Sequence, residues 1–174
     1  ERKKFAESKH EYLIEQNQMI KTFINSKDIE IPIKFNNPVK DITWVVQKMN
    51  YIQDGNENNE KQYYNYGMKF ANKDNNTGNP IKNSQISFNG LDRTRKISGN
   101  YSNYVSPFQY YGITPSDGIN VYSFSLMPKS FQPSGSCNFS FLADHKIKIQ
   151  LKDDYIKEGD VIELRIYVKS YNIL

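Results

Sequence analysis

The chain has 174 residues, with a hydrophobic share of 37% and an aromatic share of 14%, which suits one domain with an aromatic core. Its single cysteine excludes an internal disulfide framework, and no apolar run is long enough for a transmembrane helix. The formal net charge is +4, but basic and acidic residues are intermingled except at Arg2-Lys3-Lys4, so we expect no nucleic-acid partner.

The N-terminal region predicts a linker followed by two strands. Residues 1–15 are charged and helix-compatible, and we assign them to an inter-domain linker that leads into a strand ending near Ile24. The segment DIEIPIKF (28–35) then alternates, with Ile31 and Ile33 among its apolar positions. Pro32 lies on the polar face and indicates a sheet edge, because proline cannot donate a ladder hydrogen bond. We expect residues 16–174 to form a single domain.

A short strand and a long irregular region come next. A turn at 36–40 leads into DITWVVQ (41–47), an apolar strand that contains Trp44, the only tryptophan. Residues 50–84 are rich in asparagine and glycine, and loops of this length usually carry surface function. Within them, YYNYGMKFA (63–71) is compatible with an aromatic strand. DGNENNE (54–60) resembles a calcium loop but lacks a glutamate at the twelfth position, so we predict a solvated loop.

A strand and an irregular excursion are predicted from residue 84 onward. SQISFNG (84–90) reads as a strand that ends in the turn signal Asn89-Gly90. Residues 91–118 are aromatic, and Pro107, Pro115 and Gly118 are expected to prevent a continuous helix.

Three further strands follow. In INVYSFSLMP (119–128), Tyr122, Phe124 and Leu126 share one face, while Val121 indicates a bulge or burial on both faces. The last two strands alternate apolar and polar residues over HKIKIQL and VIELRIYVKSYNIL, at 145–151 and 161–174.

The stretch FQPSGSCNFSF (131–141) contains the only cysteine. We predict a corner at 133–135, followed by a strand in which Cys137, Phe139 and Phe141 face inward. Catalysis by Cys137 would need a base, and His145 beside Asp144 is the available candidate. A buried cysteine without reactivity is the stronger interpretation, because cysteine is often buried. Two histidines and one cysteine do not make an ordinary zinc site. We therefore predict no enzyme activity, no catalytic residue, no cofactor and no metal.

These segments predict an all-β fold with about eight strands and no long helix. A count of eight with period-2 alternation is typical of an antiparallel jelly-roll sandwich, here with long irregular loops. The predicted core consists of Ile31, Ile33, Trp44, Tyr122, Phe124, Cys137, Phe139, Ile149, Leu164 and Ile166.

Aromatic residues are frequent in the connecting segments. Tyrosine and phenylalanine are enriched at protein interfaces, and we favour protein–protein contact. The predicted interface and loop residues are Tyr63, Tyr64, Tyr66, Asp92, Arg93, Tyr101, Tyr104, Phe108, Tyr110 and Tyr111. The alternative is a carbohydrate-binding jelly-roll module, in which sugar rings would stack on Tyr63, Tyr64, Tyr66, Tyr110 and Tyr111.

Several segments together resemble one protein family. They are EYLIEQ (11–16), NPVKDITWVVQ (37–47), FNGLDR (88–93), YVSPFQYY (104–111) and, the most specific, GINVYSFSLMPKSFQPSGSCNFS (118–140). In this order they resemble the second half of the major capsid protein of the large icosahedral DNA viruses of eukaryotes, the iridovirus, phycodnavirus and mimivirus group.

The resemblance implies a structural protein built from two consecutive jelly rolls, of which this chain would be the second. It implies homotrimers with a pseudo-hexagonal outline that tile an icosahedral shell, with neighbouring capsomers and minor capsid proteins as partners. The virion would be its location after synthesis in the host cytoplasm, and any relation to an inner membrane of the virion would be indirect. We accordingly expect the chain to be a fragment of a longer polypeptide.

Overall fold

A computed structural model describes residues 2–53, 61–68 and 78–174. The ten strands are β1 (Leu13–Ile24), β2 (Asp28–Pro32), β3 (Pro38–Lys48), β4 (Ile81–Phe88), β5 (Leu91–Asp92), β6 (Ile97–Ser98), β7 (Asn120–Ser123), β8 (Cys137–Asn138), β9 (His145–Leu151) and β10 (Ile162–Ile173). The short helices are α1 (Arg2–Glu7), α2 (Asn50–Gln53) and α3 (Ser106–Tyr111), with a π-helical turn at Tyr101–Val105 and a 3₁₀ turn at Phe139–Phe141.

The strands form two antiparallel sheets. Sheet A has the order β1-β10-β3-β7, and the two-residue strand β8 pairs with β3. Sheet B has the order β2-β9-β4-β5, and the equally short β6 pairs with β4. Because β1, β2, β3 and β4 alternate between the sheets, the chain winds around a sandwich as in a jelly roll. The eight predicted strands correspond to β1, β2, β3, β4, β7, β8, β9 and β10, and the two-residue strands β5 and β6, inside the stretch predicted as an irregular excursion, bring the number to ten.

The core lies between the two sheets. Of the predicted core residues, six belong to the buried cluster, namely Ile33, Trp44, Phe139, Ile149, Leu164 and Ile166. Four are partly buried and pack against it, namely Ile31, Tyr122, Phe124 and Cys137. Phe139 is the centre of an aromatic group, since its ring lies 5.5 Å from that of Phe88 and 5.8 Å from that of Phe124.

The edge strand β2 follows its sequence pattern. Ile29 and Ile33 are buried, and Glu30 and Pro32 are exposed. The strand pairs only with β9 in sheet B, so Pro32 occupies an edge position where its missing amide hydrogen costs no ladder bond. The turn after β4 also forms as predicted, with positive φ angles of 50° at Asn89 and 79° at Gly90.

Two residues depart from the predicted strand faces, since Phe141 was predicted to face inward and Leu126 to share one face with Tyr122 and Phe124. The side chain of Leu126 is 77% exposed because β7 ends at Ser123, whose hydroxyl binds the backbone of Ser125 and turns the chain. The side chain of Phe141 is 84% exposed because the chain enters a 3₁₀ turn after Asn138, which ends the period-2 alternation.

The excursion contains more helix than predicted. The π-helical turn at Tyr101–Val105 runs directly into α3, and Pro107 lies in the first turn of α3, where a missing amide hydrogen does little harm. Pro107 therefore does not interrupt this helix, although no helix continues through 91–118, as predicted. Pro115 and Gly118 lie beyond the end of α3, which closes at Gly112 in the left-handed conformation.

The remaining predictions concern the ends of strands and the long loop. Strand β1 begins at Leu13, within the range 1–15 that we assigned to a linker, and α1 occupies part of that range. Residues 63–68 do not form the aromatic strand that we considered, and 69–71 lie outside the described residues, as does the 54–60 loop.

In the part of the chain that the structure describes, no helix is both long and apolar enough to cross a bilayer.

Candidate interaction surfaces

The connecting segments gather at the two ends of the sandwich. At one end, here called the distal end, lie the loops 25–27 and 152–161 and the described residues between β3 and β4, namely 49–53, 61–68 and 78–80. They are joined by backbone bonds such as Leu151 N to Lys27 O at 2.9 Å and Lys152 N to Pro80 O at 2.9 Å.

The opposite end, here called the terminal end, carries the loops 33–37, 89–90 and 124–144. The amide of Phe139 donates to Asn37 O at 3.1 Å. Tyr12 and Leu174 also exchange backbone hydrogen bonds at this end, at 3.1 and 3.0 Å. The amides of Ala143 and Asp144 donate to Asn89 Oδ1 at 3.0 and 3.1 Å, which ties the hairpin turn to the longest of these loops.

Three buried asparagines hold the segment 99–119, which is called the excursion from here on, in place. Asn79, Asn103 and Asn120 are at most 1% exposed. Asn79 Nδ2 donates to Asn120 Oδ1 and to the carbonyl of Gly99, both at 2.7 Å. Asn103 Oδ1 accepts from the amide of Gly118 at 2.8 Å. Because buried polar groups need partners, this cluster fixes both ends of the excursion against the start of β4.

Gly118 is required where it stands. Its φ of +85° is in the left-handed region, and an added Cβ would lie 1.9 Å from the carbonyl oxygen of Tyr66. The neighbouring Asp117 accepts hydrogen bonds from the hydroxyl of Tyr104 and the amide of Gly78, both at 2.7 Å. Close contact and hydrogen bonding therefore join the excursion to the 61–68 and 78–80 segments.

The 61–68 segment is held by a hydrogen-bond network on the outer face of sheet A, in which the neutral amide of Gln47 contacts the segment. Gln47 Nε2 lies within 3.1 Å of the carbonyls of Gln62, Tyr63 and Asn65, and its Oε1 accepts from Arg165 Nη2 at 2.6 Å. Buried Glu163 continues this network, because it pairs with Lys21 and Arg165. Burial alone would raise the pKa of Glu163, but the hydrogen bonds from these two partners outweigh it and the pKa is lowered.

A second charged group anchors α3. The hydroxyl of Tyr111 donates to Asp41 Oδ2 at 2.6 Å, and the Asp41 side chain is buried. Burial raises the pKa of Asp41, against the opposing effects of this hydrogen bond and of Lys169 and Lys40. The same contact with Asp41, together with burial, raises the pKa of the Tyr111 hydroxyl.

The ladder between β3 and β10 is irregular at Lys40. The register between β10 and β3 shifts between Lys169 and Ser170, which leaves an extra residue on β3. Lys40 is 1% exposed and pairs with Glu15 of β1, with its ammonium 5.4 Å from the centre of the Tyr171 ring.

A groove of about 700 Å³ opens on the outer face of sheet A. Its floor includes a row of residues in register across the four strands, namely Met19, Tyr167, Thr43 and Val121. Its wall is built by the excursion and includes Pro107, Tyr111, Ile113, Pro115 and Ile119. Met19 and Ile113 are 53% and 68% exposed, so the groove presents apolar surface to its surroundings.

The predicted interface residues fall into two groups. Exposed outward are Tyr63, Tyr64, Tyr101 and Phe108, which are 53%, 86%, 42% and 62% exposed, and also Asp92 and Arg93. The others are partly buried, namely Tyr66, Tyr104, Tyr110 and Tyr111.

Intrachain contacts occupy several of the partly buried tyrosines. The Tyr104 and Tyr111 hydroxyls bind Asp117 and Asp41, and the Tyr66 ring lies 5.8 Å from Arg165 Cζ. The tyrosines of the carbohydrate alternative thus lie on two separate segments, 61–68 and α3, and Tyr66 and Tyr111 already have partners within the chain.

The groove and the asparagine cluster were not found from the sequence. The groove depends on which residues of four strands come into register, and the order of the strands is a property of the fold. Asparagines such as Asn103, in the middle of an aromatic stretch, were the available signal for the cluster, because a buried amide there must find partners in other loops.

Within the described ranges, no group of three or more histidine, cysteine, aspartate or glutamate side chains is placed to hold a metal ion.

Cys137 is half-buried, and burial raises the pKa of its thiol, with a smaller opposing effect of Arg93. A raised thiol pKa lowers the fraction of reactive thiolate, so the site does not have the character of a catalytic cysteine.

Comparisons with known proteins agree on one family. The family model described as large eukaryotic DNA virus major capsid protein matches residues 1–174. The "Probable capsid protein 4" of Acanthamoeba polyphaga mimivirus is 32% identical over all of this chain and 34% of its own length. The "Major capsid protein" of Paramecium bursaria Chlorella virus 1 is 31% identical over all of this chain and 48% of its own length.

Solved structures show the same fold. A chain of the PBCV-1 virus capsid, in a quasi-atomic model, superposes with a TM-score of 0.77 and 26% identity, covering 99% of this chain and 51% of that one. The Faustovirus major capsid protein superposes with a TM-score of 0.81 at 14% identity, which shows a shared fold. The chain thus spans between a third and a half of the length of these relatives.

Proposed function

The chain belongs to the family of large eukaryotic DNA virus major capsid proteins, and on that premise we propose that it is a structural building block of a viral capsid, without catalytic activity. The observation that carries this proposal is the family match over the whole chain, on a fold whose two sheets have jelly-roll order. The relatives named above are capsid proteins and not enzymes.

In this proposal the chain is the second of two consecutive jelly rolls, and the linker is limited to the residues before β1, which begins at Leu13 rather than after the predicted boundary at residue 15. The chain covers 51% of the matching PBCV-1 capsid chain, which leaves room for a second domain of similar size. Three copies of such a protein carry six similar blocks and give a capsomer with a pseudo-hexagonal outline. Many such capsomers tile an icosahedral shell.

The sandwich supplies the stiffness that a shell requires, and the loops supply the contacts. Two sheets packed around one core give a block that deforms little. The exposed aromatic residues of the 61–68 segment and of α3, such as Tyr64 and Phe108, are suited to contacts with neighbouring copies. Further proposed partners are minor capsid proteins, and the proposed location is the virion after synthesis in the host cytoplasm.

Electron microscopy of the complete polypeptide tests this proposal. We expect trimeric particles with a six-sided outline, and the same particles at the faces of the virion. A matched preparation in which Tyr64 and Phe108 are both replaced by serine should keep the fold by circular dichroism and form fewer ordered assemblies. Monomers alone, at all protein concentrations, would show that the assembly proposal is wrong.

A further inference from the structure

The loop 126–134 at the terminal end is a rigid apolar projection. Leu126, Met127 and Phe131 are 77%, 62% and 97% exposed. The base of the loop is closed by Ser134, whose Oγ lies 2.6 Å from Ser125 Oγ and accepts from the amide of Met127 at 2.8 Å. A further bond runs from Ser130 N to Met127 O at 3.0 Å. A loop closed by its own hydrogen bonds keeps its shape, so Phe131 is held out in solvent.

The projection is also fixed to the rest of the domain. Lys129 Nζ donates to the carbonyl of Tyr111 at 2.7 Å, which joins the loop to the end of α3. Because Phe131 is almost fully exposed, it does not occupy the groove of its own chain, although Tyr111 also lines that groove. One chain therefore presents an apolar projection and an apolar groove as two separate surfaces.

The groove has the size and chemistry to accept this projection. Its floor spans four strands, or about 14 Å at the usual spacing of about 4.8 Å. Its volume of about 700 Å³ exceeds what one aromatic side chain needs, so Phe131 can enter together with Met127. The wall residues Ile113 and Ile119 are apolar, and the charged residues Asp41 and Lys169 at the groove have opposite signs. An uncharged aromatic anchor suits such a site better than a charged one.

From these observations we infer that Phe131 of one copy of this chain inserts into the sheet A groove of a second copy. The inference rests on the proposed function, since a shell of identical copies brings the same two surfaces together repeatedly. The contact is heterologous, because the projection and the groove are different patches. Repetition of such a contact joins the copies either into a closed ring or into an open chain of copies. It would be one anchor within a larger interface, because a stable contact buries about 800 Å² on each partner.

Cysteine cross-linking tests this contact. In a Cys137→Ala background, one protein carries Phe131→Cys and a second carries Ile113→Cys at the groove wall. We expect the mixture to form a mixed disulfide well in excess of either homodimer. The matched control replaces Ile113→Cys by Val161→Cys, at a side chain that is 50% exposed but lies at the distal end, away from the groove and from the proposed interface residues. A yield no higher than in this control would overturn the inference.

A second measurement does not depend on added cysteines. Sedimentation of the complete polypeptide should show self-association about ten- to hundredfold weaker for Phe131→Ser than for the unchanged protein, from the loss of one buried aromatic anchor. Val161→Ser, at an exposed position outside the proposed interface, serves as the control variant. If capsomers form in the microscope and Phe131→Ser assembles as well as the unchanged protein, the inference is wrong and the proposed function stands. If no capsomers form with any variant, the proposed function fails as well.

Discussion

At the scale of single residues, Cys137 shows how burial decides reactivity. Its thiol is half-buried, packs against the core and has a raised pKa. We expect a thiol reagent to modify Cys137 in the folded protein at least tenfold more slowly than in the urea-unfolded chain at the same pH, since both access and thiolate fraction are lower.

The control for this experiment is Tyr64→Cys in a Cys137→Ala background, which places the thiol at an exposed position. That thiol should react at a similar rate before and after unfolding. Equal rates for Cys137 in the two states would show that its side chain is open to solvent.

Asp41 makes a pH-dependent contribution to stability. Its folded-state pKa lies above its ordinary value of 3.8 because of burial. An acid with a raised pKa favours folding most below pH 3.8, and this contribution is lost as the pH rises through the folded-state pKa. Asp41→Asn keeps an acceptor for Tyr111 and removes the titration. We therefore expect this variant to gain stability relative to the unchanged protein as the pH rises from about 3.8 to neutrality.

The control, Asp153→Asn, should show the opposite trend. The hydrogen bond from Lys27 Nζ, at 3.1 Å, lowers the pKa of Asp153, so its contribution is present above pH 3.8 and is lost as the pH falls through the lowered value. Urea denaturation at several pH values measures both trends. A pH-independent difference between Asp41→Asn and the unchanged protein would contradict the assignment.

At the scale of elements, the hairpin between β4 and β5 depends on its turn. Gly90 has a φ of +79°, and nothing lies within 4 Å of the position of an added Cβ. Gly90→Ala should therefore cost only the backbone strain, about 1 kcal/mol in the free energy of unfolding. The exposed neighbour Leu91 gives the control, since Leu91→Ala should stay within about 0.5 kcal/mol. A loss of more than about 3 kcal/mol for Gly90→Ala would mean that the turn is more crowded than described.

The excursion depends on Asn103. Asn103→Ala leaves the amide of Gly118 and the carbonyl of Ser116 without this partner in a buried site. We expect a loss of about 2–4 kcal/mol in the free energy of unfolding. Amide hydrogen exchange should accelerate first within 99–119, because the sandwich core does not use these bonds. Asn25→Ala, at an exposed position, is the control. Exchange that accelerates uniformly over the domain would contradict a local role.

The elements that the sequence predicts well are those where local pattern and burial agree. The alternation over 28–35 and in β9 places Ile33 and Ile149 in the core, and the Asn89-Gly90 signal forms its turn. The prediction fails where a side chain binds the backbone two residues ahead, as Ser123 does before Leu126 and Asn138 does before Phe141. Period-2 counting does not include these short-range bonds.

Less of the surface could be predicted. Aromatic loop residues were identified by composition, and several are exposed, but composition does not tell Tyr64, which is open, from Tyr111, which binds Asp41. The groove requires the register of β1, β10, β3 and β7, which arises from contacts between residues far apart in the chain.

At the scale of the whole molecule, one core spans both sheets and should unfold as one unit. Trp44, the only tryptophan, is 2% exposed and lies in β3 within this core. We expect its fluorescence and the far-ultraviolet circular dichroism to give the same urea midpoint. Phe139→Ala, which removes a buried ring, should lower both midpoints together, at a cost of about 3–5 kcal/mol. Two separated transitions would show that the sheets unfold independently.

The pairing of Tyr12 with Leu174 has a mechanical consequence. Strands β1 and β10 lie side by side and antiparallel, so the two points at which the chain enters and leaves the sandwich are neighbours. A pulling force applied between these two points would break the hydrogen bonds between β1 and β10 one after another, starting at the terminal end. A force applied along the strands from opposite ends of the sandwich would act on many hydrogen bonds between the strands at the same time. The domain is therefore expected to resist stretching along its strands far better than peeling at its terminal end.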